Sequence, residues 1–229
     1  MQIGIIGAGG KTTALRRLAR EAGERCSALV TTTTHIFPIR PPECRLLLVD
    51  PDRASLLAAL AQPGAVCAGS SAGQGRLAPL PDSLLSLGLA AARLTLYEGD
   101  GSRGLPLKLH APFEPVLLPG TDLCLIVAGL SALGRPVGEA VHRFALRPEW
   151  AAHPETPVGP EELLFCALEA ASSSGLPPGR LRVFLNQADT PEGTRSGTEL
   201  ARRVQARGLR CRAGSLNRLS GSLWSWLTA

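Results

Sequence analysis

The stretch GAGGKTT, residues 7–13, lies between a short apolar run, Gln2–Ile6, and a segment, Thr12–Ala22, whose apolar residues recur at helical spacing. A glycine-rich turn between a strand and a helix lets backbone N–H groups converge on an anion at the positive end of the helix. The Gly-Lys-Thr ending matches the phosphate-binding loop G-x-x-x-x-G-K-[ST], but Ile5 stands where that loop has its first glycine. The sequence therefore predicts a compressed phosphate-binding loop, with an ordinary strand-to-helix turn as the alternative.

The residues of this stretch, called the glycine loop below, have distinct predicted roles. Lys11 would reach the β- and γ-phosphates of a nucleotide, and the hydroxyl of Thr12 would bind Mg²⁺. The chain has 24 basic residues, of which only Lys11 and Lys108 are lysine, so both positions stand out. The residues expected to bind the cofactor at this loop are Gly7, Ala8, Gly9, Gly10, Lys11, Thr12 and Thr13.

Strand-like and helix-like segments alternate along the chain, a pattern typical of α/β folds. We expect one domain over residues 1–229, with a mostly parallel sheet flanked by helices in three layers, α/β/α, as in P-loop NTPases. Residues 64–80 are rich in glycine and small residues and predict a hairpin or flexible excursion. Residues 98–120 predict a long functional loop. Other expected elements are strands at Ser27–Thr32, Arg45–Val49, Arg93–Tyr97, Asp122–Val127 and Arg182–Leu185, and helices at Pro81–Ala92, Val137–Phe144, Pro160–Ser173 and Thr194–Ala206.

Acidic and hydroxyl side chains follow two further predicted strands. In LTLYEGDGSRG, residues 94–104, Glu98 and Asp100 follow an apolar strand and would share one face, so both are candidate ligands of Mg²⁺ with Thr12 and candidate catalytic residues with Lys11. VTTTTHI, residues 30–36, would bring Thr33, Thr34 and His35 to the same edge of the sheet. Threonine also favours strands for its shape alone, so this second stretch has an equally simple structural interpretation.

The long loop contributes further charged residues. Lys108 is a candidate catalytic residue that would neutralise charge in a transition state or bind an anionic substrate. Lys108 or Arg143 would contact a second anionic ligand. His110 is expected to be an ordinary surface histidine.

NQAD, residues 186–189, ends a late apolar strand and is similar to the N-K-x-D guanine motif of GTPases. Asp189 would accept two hydrogen bonds from guanine, and Asn186 would tie the base-binding loop to the glycine loop. Gln187 replaces the lysine of that motif, so both GTP and ATP remain open.

The bulk composition excludes some partners. The formal net charge is +5, but the basic residues are dispersed and not interleaved with aromatic residues, so no nucleic-acid partner is expected. No apolar run approaches the ~18 residues of a membrane span, and the N-terminus shows no signal-peptide pattern. We expect a cytoplasmic protein whose six scattered cysteines are buried thiols.

Several stretches together resemble the YqeC family. They are GAGGKTT, VTTTTHI, the block E-x-D-G-S-R-G-x-P-L-K from Glu98, EPVLLP, GLSALGRPV…VHR and NQAD. The resemblance spans residues 1–218 and implies a P-loop fold. It also implies a nucleotide-dependent role in maturing a molybdenum cofactor, or its selenium-containing form, for molybdenum hydroxylases. The implied partners are a molybdopterin-type cofactor or a hydroxylase client. Phe113 stands where the family has histidine, so no ligand role is carried over to it.

The combined prediction is a protein that binds Mg²⁺ with GTP or ATP and hydrolyses the nucleotide. Three alternatives remain open at this point. They are a non-catalytic chaperone switched by nucleotide, a ligase of the Mur type, and a molybdopterin nucleotidyltransferase.

Overall fold

Eight parallel strands form the main sheet, in the order β11-β10-β8-β1-β6-β2-β4-β3, and β5 pairs antiparallel with β4. The computed structural model describes all 229 residues. A separate parallel pair, β7 and β9, lies outside this sheet. The strands are β1 (Gln2–Gly7), β2 (Ser27–Thr32), β3 (Leu46–Val49), β4 (Gly64–Ser71), β5 (Leu77–Ala78), β6 (Leu94–Glu98), β7 (Leu107–Lys108), β8 (Leu123–Gly129), β9 (Val141–His142), β10 (Leu181–Asn186) and β11 (Arg210–Ala213).

Helices cover both faces of the sheet, which makes the predicted three-layer α/β/α arrangement correct. The helices are α1 (Lys11–Gly23), α2 (Arg53–Leu60), α3 (Asp82–Ala91), α4 (Val137–Ala140), α5 (Pro148–Ala152), α6 (Pro160–Ser173), α7 (Pro191–Gln205) and α8 (Leu223–Thr228). Alternate residues of a strand point to opposite faces. Ile3 and Ile5 accordingly pack with α1 and α8, whereas Ile6 packs with α6 and α7. None of the helices has the length and apolar character needed to cross a bilayer.

Two local expectations differ from the structure. The helix expected at Val137–Phe144 ends at Ala140, because Val141 and His142 pair with β7 and Arg143 has a left-handed φ of 62°. Residues 64–80 do form a hairpin, but its first arm, β4, is a full strand of the main sheet between β2 and β3. Small residues in β4 hid this role from sequence periodicity.

The C-terminal segment packs back on α1 through two charged side chains. Arg17 donates hydrogen bonds to three carbonyl oxygens of residues 216–221. Glu21 accepts hydrogen bonds from residues 222–224, including two backbone N–H groups at the start of α8. These hydrogen bonds of Arg17 and Glu21 anchor α1, whose N-terminus carries the glycine loop.

The six cysteines are free thiols, and five of them are buried.

Candidate functional site

The candidate site lies at the carboxyl ends of the central strands, where the chain changes sides. The chain passes from β1 to β2, β3 and β4 on one side, returns through β6, and then continues to β8, β10 and β11 on the other side. In open α/β sheets such a switch point is the usual place for a ligand. The glycine loop begins at this point, directly after β1.

The backbone N–H groups of the glycine loop fall into two sets. Those of its first three residues are bonded within the protein: Gly7 to Asp100 Oδ2 at 2.9 Å, Ala8 to the Val127 carbonyl at 2.8 Å and Gly9 to the Leu105 carbonyl at 3.1 Å. Those of residues 10–13 have no acceptor in the chain. The sequence predicts that the whole of residues 7–13 would bind an anion. Only the N–H groups of residues 10–13, at the positive end of α1, are free to do so.

Asn186, at the end of β10, fixes the shape of this loop from two strands away in the sheet. Its Nδ2 donates to the carbonyl of Gly9 at 2.8 Å, and its Oδ1 accepts the N–H of Leu216 at 2.9 Å. Gly10 has a φ of 132°, and a Cβ at that position would collide with Asn186 Nδ2. Glycine is thus required at residue 10 both by conformation and by packing.

Lys11 is buried and folded back onto acidic groups. Its Nζ lies 2.7 Å from the carbonyl oxygen of Gly7, 3.2 Å from Asp100 Oδ1 and 3.5 Å from Glu98 Oε1. Burial disfavours the charged amine, but the attraction of Asp100 and Glu98 outweighs this and raises the pKa of Lys11. Lys11 is therefore a cation at neutral pH.

Thr12 and Glu98 are in contact at the end of β6. The Thr12 hydroxyl lies 3.3 Å from Glu98 Oε2 and donates to it. Burial raises the pKa of Glu98, with Lys11 opposing and Asp100 reinforcing that rise. The predicted neighbours Thr12, Glu98 and Asp100 are thus brought together around Lys11.

Asp100 lies beside four donors or cations, Gly7 N–H, Lys11, Lys108 and His110. Its Oδ2 accepts the N–H of Gly7 and lies 2.7 Å from His110 Nε2 and 3.2 Å from Lys108 Nζ. Burial opposes ionisation, but Lys11, His110 and Lys108 outweigh it and hold the pKa of Asp100 well below its usual range. Asp100 Oδ1 accepts no hydrogen bond, although Lys11 Nζ lies 3.2 Å away.

His110 is not a surface residue, so that expectation is wrong. Its side chain is fully buried, with Nε2 on Asp100 and Nδ1 2.8 Å from Glu169 Oε2 of α6. Burial disfavours the imidazolium, but hydrogen bonds to Asp100 and Glu169 raise the pKa of His110. Glu169 could not be identified from local sequence patterns, because its partner His110 lies 59 residues earlier in the chain.

Lys108, in β7, contacts polar groups of the long loop on both sides of it in the sequence. Its Nζ donates to the Gly101 carbonyl at 2.9 Å and to Glu114 Oε2 at 3.1 Å. Glu114 in turn lies 3.1 Å from Arg143 Nε. Burial opposes ionisation of Glu114, but Lys108 and Arg143 lower its pKa. Both basic residues singled out in this region thus share one carboxylate.

A cavity of about 610 Å³ opens in front of these groups, and most of its lining is polar or glycine. Thr34 and His35 line it, whereas the Thr33 hydroxyl donates to the Val116 carbonyl at 2.7 Å. The lining residues are Gly9, Gly10, Lys11, Thr12, Thr13, Thr34, His35, Ile36, Phe37, Arg76, Glu98, Gly101, Ser102, Arg103, Gly104, Leu105, Glu114, His142, Arg143 and Gln187.

The NQAD stretch meets the site through its first two residues. Asn186 is buried against the glycine loop, and Gln187 lines the cavity with its Oε1 accepting the Ser131 hydroxyl at 2.6 Å. Asp189 is exposed to solvent and does not line this cavity. Asp189 is therefore accessible, but of the two residues predicted to bind the base only Asn186 contacts the glycine loop.

The acidic groups suit Mg²⁺ better than a transition metal. No set of three or more His, Cys, Asp or Glu side chains is arranged to hold a metal ion. Mg²⁺, however, is usually bound by one or two carboxylates together with water and substrate phosphates. Thr12 and Glu98 line the cavity, and Asp100 Oδ1 is a buried oxygen without a hydrogen bond. These three residues fit a magnesium site that a bound phosphate would complete.

Comparison with known proteins identifies the family. A family model described as "YqeC protein" matches residues 3–145. "Uncharacterized protein YqeC" of Escherichia coli (strain K12) is 38% identical over 152 residues, which cover 62% of this chain and 57% of that protein. The match thus spans little more than half of the relative's length. Because the family model covers more than half of the 229 residues, this chain belongs to the YqeC family.

Proposed function

We propose that this protein binds a nucleoside triphosphate with Mg²⁺, with the phosphates in the 610 Å³ cavity, and hydrolyses it. One observation carries the proposal: four consecutive N–H groups, of residues 10–13, have no acceptor in the chain and lie beside Lys11 at the cavity. Unpaired donors at a helix N-terminus bind phosphate oxygens well. A merely structural turn would have no need of a buried lysine or of two acidic groups beside those donors.

Each residue of the site has a specific part in this proposal. The N–H groups of residues 10–13 would donate to phosphate oxygens. Lys11 would exchange part of its present pairing with Glu98 and Ser102 for a phosphate, from a position already within 3.5 Å of Glu98. Lys108, held on Asp100 and Glu114, would keep the site cationic as negative charge accumulates on the phosphates.

Thr12, Glu98 and Asp100 would hold Mg²⁺. When bound, the ion supplies positive charge that stabilises the phosphate groups and polarises their oxygens. The two carboxylates would otherwise repel a triphosphate at short range. For this reason nucleotide binding should depend strongly on the divalent cation.

Asn186 and Asp189 would place and read the base. Asn186 already links the glycine loop to residue 216, and Asp189 is exposed at the end of the same strand. An aspartate in this place favours guanine, whose N1 and N2 groups are donors, so we propose GTP ahead of ATP.

A role in maturing a molybdenum or selenium cofactor for molybdenum hydroxylases is carried over from the family resemblance, and we propose that the protein acts in the cytoplasm. A second candidate function, a nucleotide-switched chaperone for the cofactor or its hydroxylase, is favoured by one contact. The Gly9 N–H donates to the Leu105 carbonyl, which couples the glycine loop to the long loop at residues 98–120. A phosphate bound at residues 10–13 would shift the glycine loop and so change the hydrogen bond between Gly9 and Leu105.

Thermal unfolding with nucleotide tests the proposal. GTP or ATP with Mg²⁺ at ~100 times Kd should stabilise the protein by about 2.7 kcal/mol, which raises Tm by roughly 5–10 °C. Lys11→Ala should abolish this rise, because the cation nearest the phosphates is lost. Arg53→Ala, which removes an exposed cation on α2, should retain it. No rise for the unmodified protein with GTP, ATP or CTP would refute nucleotide binding.

Glu98→Gln tests the acidic site. In the unmodified protein, removing Mg²⁺ with EDTA should weaken GTP binding at least tenfold, measured by titration calorimetry. In Glu98→Gln the loss should be much smaller, because one metal ligand and one source of repulsion disappear together. Glu24→Gln, at an exposed glutamate just beyond α1, is the matched control. An unchanged dependence on Mg²⁺ in Glu98→Gln would contradict the assignment.

Asp189→Asn tests base recognition. Loss of two hydrogen bonds to a charged acceptor should weaken GTP binding at least tenfold and leave ATP binding unchanged. Glu192→Gln, at an exposed carboxylate in the first turn of α7, should bind both nucleotides normally. Equal weakening of GTP and ATP by Asp189→Asn would show that Asp189 does not read the base.

A further inference from the structure

Three arginines line the cavity without being part of the glycine loop. Arg103 lies in the long loop, Arg143 follows β9, and Arg76 lies in the turn between β4 and β5. Together with Phe37, these side chains are called the arginine wall below. Its members come from both sides of β1 in the sheet, so the wall extends the cavity beyond the place where residues 10–13 would hold phosphates.

Backbone strain is concentrated at this cavity. Five non-glycine residues of the chain have positive φ, and three of them, Arg103, Arg143 and Gln187, line the cavity. Their φ values are 50°, 62° and 68°. Such conformations are unfavourable for residues with a side chain and cluster at ligand sites, because the surrounding structure must hold them in place. Two of the three strained residues are arginines of the wall.

The charge of the wall is not balanced by the protein. The carboxylates in the cavity lining are Glu98 and Glu114, and each is already paired with a lysine. Arg76 and Arg103 form no ion pair, and Arg143 shares Glu114 with Lys108. The pKa of His142 responds to this excess, since burial and then Lys108, Arg143 and Arg103 lower it. The arginine wall therefore carries an excess of positive charge that would attract an anion.

An exposed aromatic ring accompanies the charge. Phe37 is 54% exposed, and the guanidinium of Arg76 lies 4.7 Å from the centre of its ring. Arginine stacks well on aromatic faces and binds phosphate or carboxylate through its planar fork. A planar ring bearing an anionic group would find a matching surface here, with the ring on Phe37 and the anion on the arginines.

The base of a bound nucleotide could lie outside the cavity that the arginine wall lines. A second cavity, of about 220 Å³, is lined by Glu43, Leu216, Asn217 and part of α1. Thr13 lines both cavities, and Leu216 is bonded to Asn186 of the base-binding stretch. A nucleotide with its phosphates on residues 10–13 would thus extend past Thr13 toward Leu216. The arginine wall lines the cavity at the phosphate end of such a nucleotide, and the base would not occupy it.

We infer that the arginine wall binds a second ligand, a small organic anion with a phosphate or carboxylate group on a planar ring, beside the bound nucleotide. The location beside a nucleotide rests on the proposed function. The binding of the anion itself rests only on the residues of the wall.

Calorimetric titration with phenyl phosphate tests the inference, with inorganic phosphate as a probe that lacks the ring. The protein is first saturated with Mg²⁺ and a non-hydrolysable GTP analogue, so that residues 10–13 are occupied. Phenyl phosphate should then bind more tightly than inorganic phosphate, and Arg76→Gln with Arg103→Gln should weaken it at least tenfold. The double control Arg53→Gln with Arg93→Gln removes two exposed cations elsewhere and should have little effect.

Three results would overturn the inference. They are equal affinity for phenyl phosphate in the wall variant and the control variant, equal affinity for the two probes in the unmodified protein, or a tenfold loss of GTP affinity in the wall variant. The third result would assign the arginines to the nucleotide. If the chain bound no nucleotide, the proposed function would fail, and the same titration without nucleotide would still test the wall.

Discussion

Asp100 is a buried carboxylate on which the arrangement of the whole site depends. An isolated charge in the interior would be destabilising by several kcal/mol unless donors surround it. Here the donors are the Gly7 N–H, His110 and Lys108, with the charge of Lys11 beside them. They belong to the glycine loop, α1 and the long loop, and through Glu169 to α6. One carboxylate thus holds together segments that are distant in the chain.

This network also determines which N–H groups of the glycine loop are available to a ligand. Because Asp100, Val127 and Leu105 take the N–H groups of residues 7–9, the first half of the loop serves structure. The second half, residues 10–13, follows Gly9, whose carbonyl accepts a hydrogen bond from Asn186, and its N–H groups have no acceptor in the chain. A preorganised set of donors binds an anion without the cost of ordering a loop. The short spacing between Gly7 and Lys11 is consistent with a loop whose first half is structural and whose second half is available to a ligand.

Much of the fold could be predicted from the sequence, because strands and helices here follow local periodicity. Glu98 and Asp100 were found by the same kind of reasoning, since alternate residues after a strand share a face. Arg143 was also singled out, but the roles of His110, Glu169, Arg76 and Arg103 were not, because only tertiary packing brings these residues to the site. His110 looked like a lone loop histidine, and only tertiary packing brings it between Asp100 and Glu169. The strand β4 was missed because its small residues carry no clear apolar alternation.

The central claim is that the N–H groups of residues 10–13 receive the phosphates of a nucleotide. Amide hydrogen exchange, followed by NMR residue by residue, measures this directly. In the free protein these four amides should exchange rapidly, and Mg²⁺ with a non-hydrolysable GTP analogue should slow them at least tenfold. The amides of residues 7–9, already bonded within the protein, should change little. Unchanged exchange at residues 10–13 under saturating nucleotide would contradict the account.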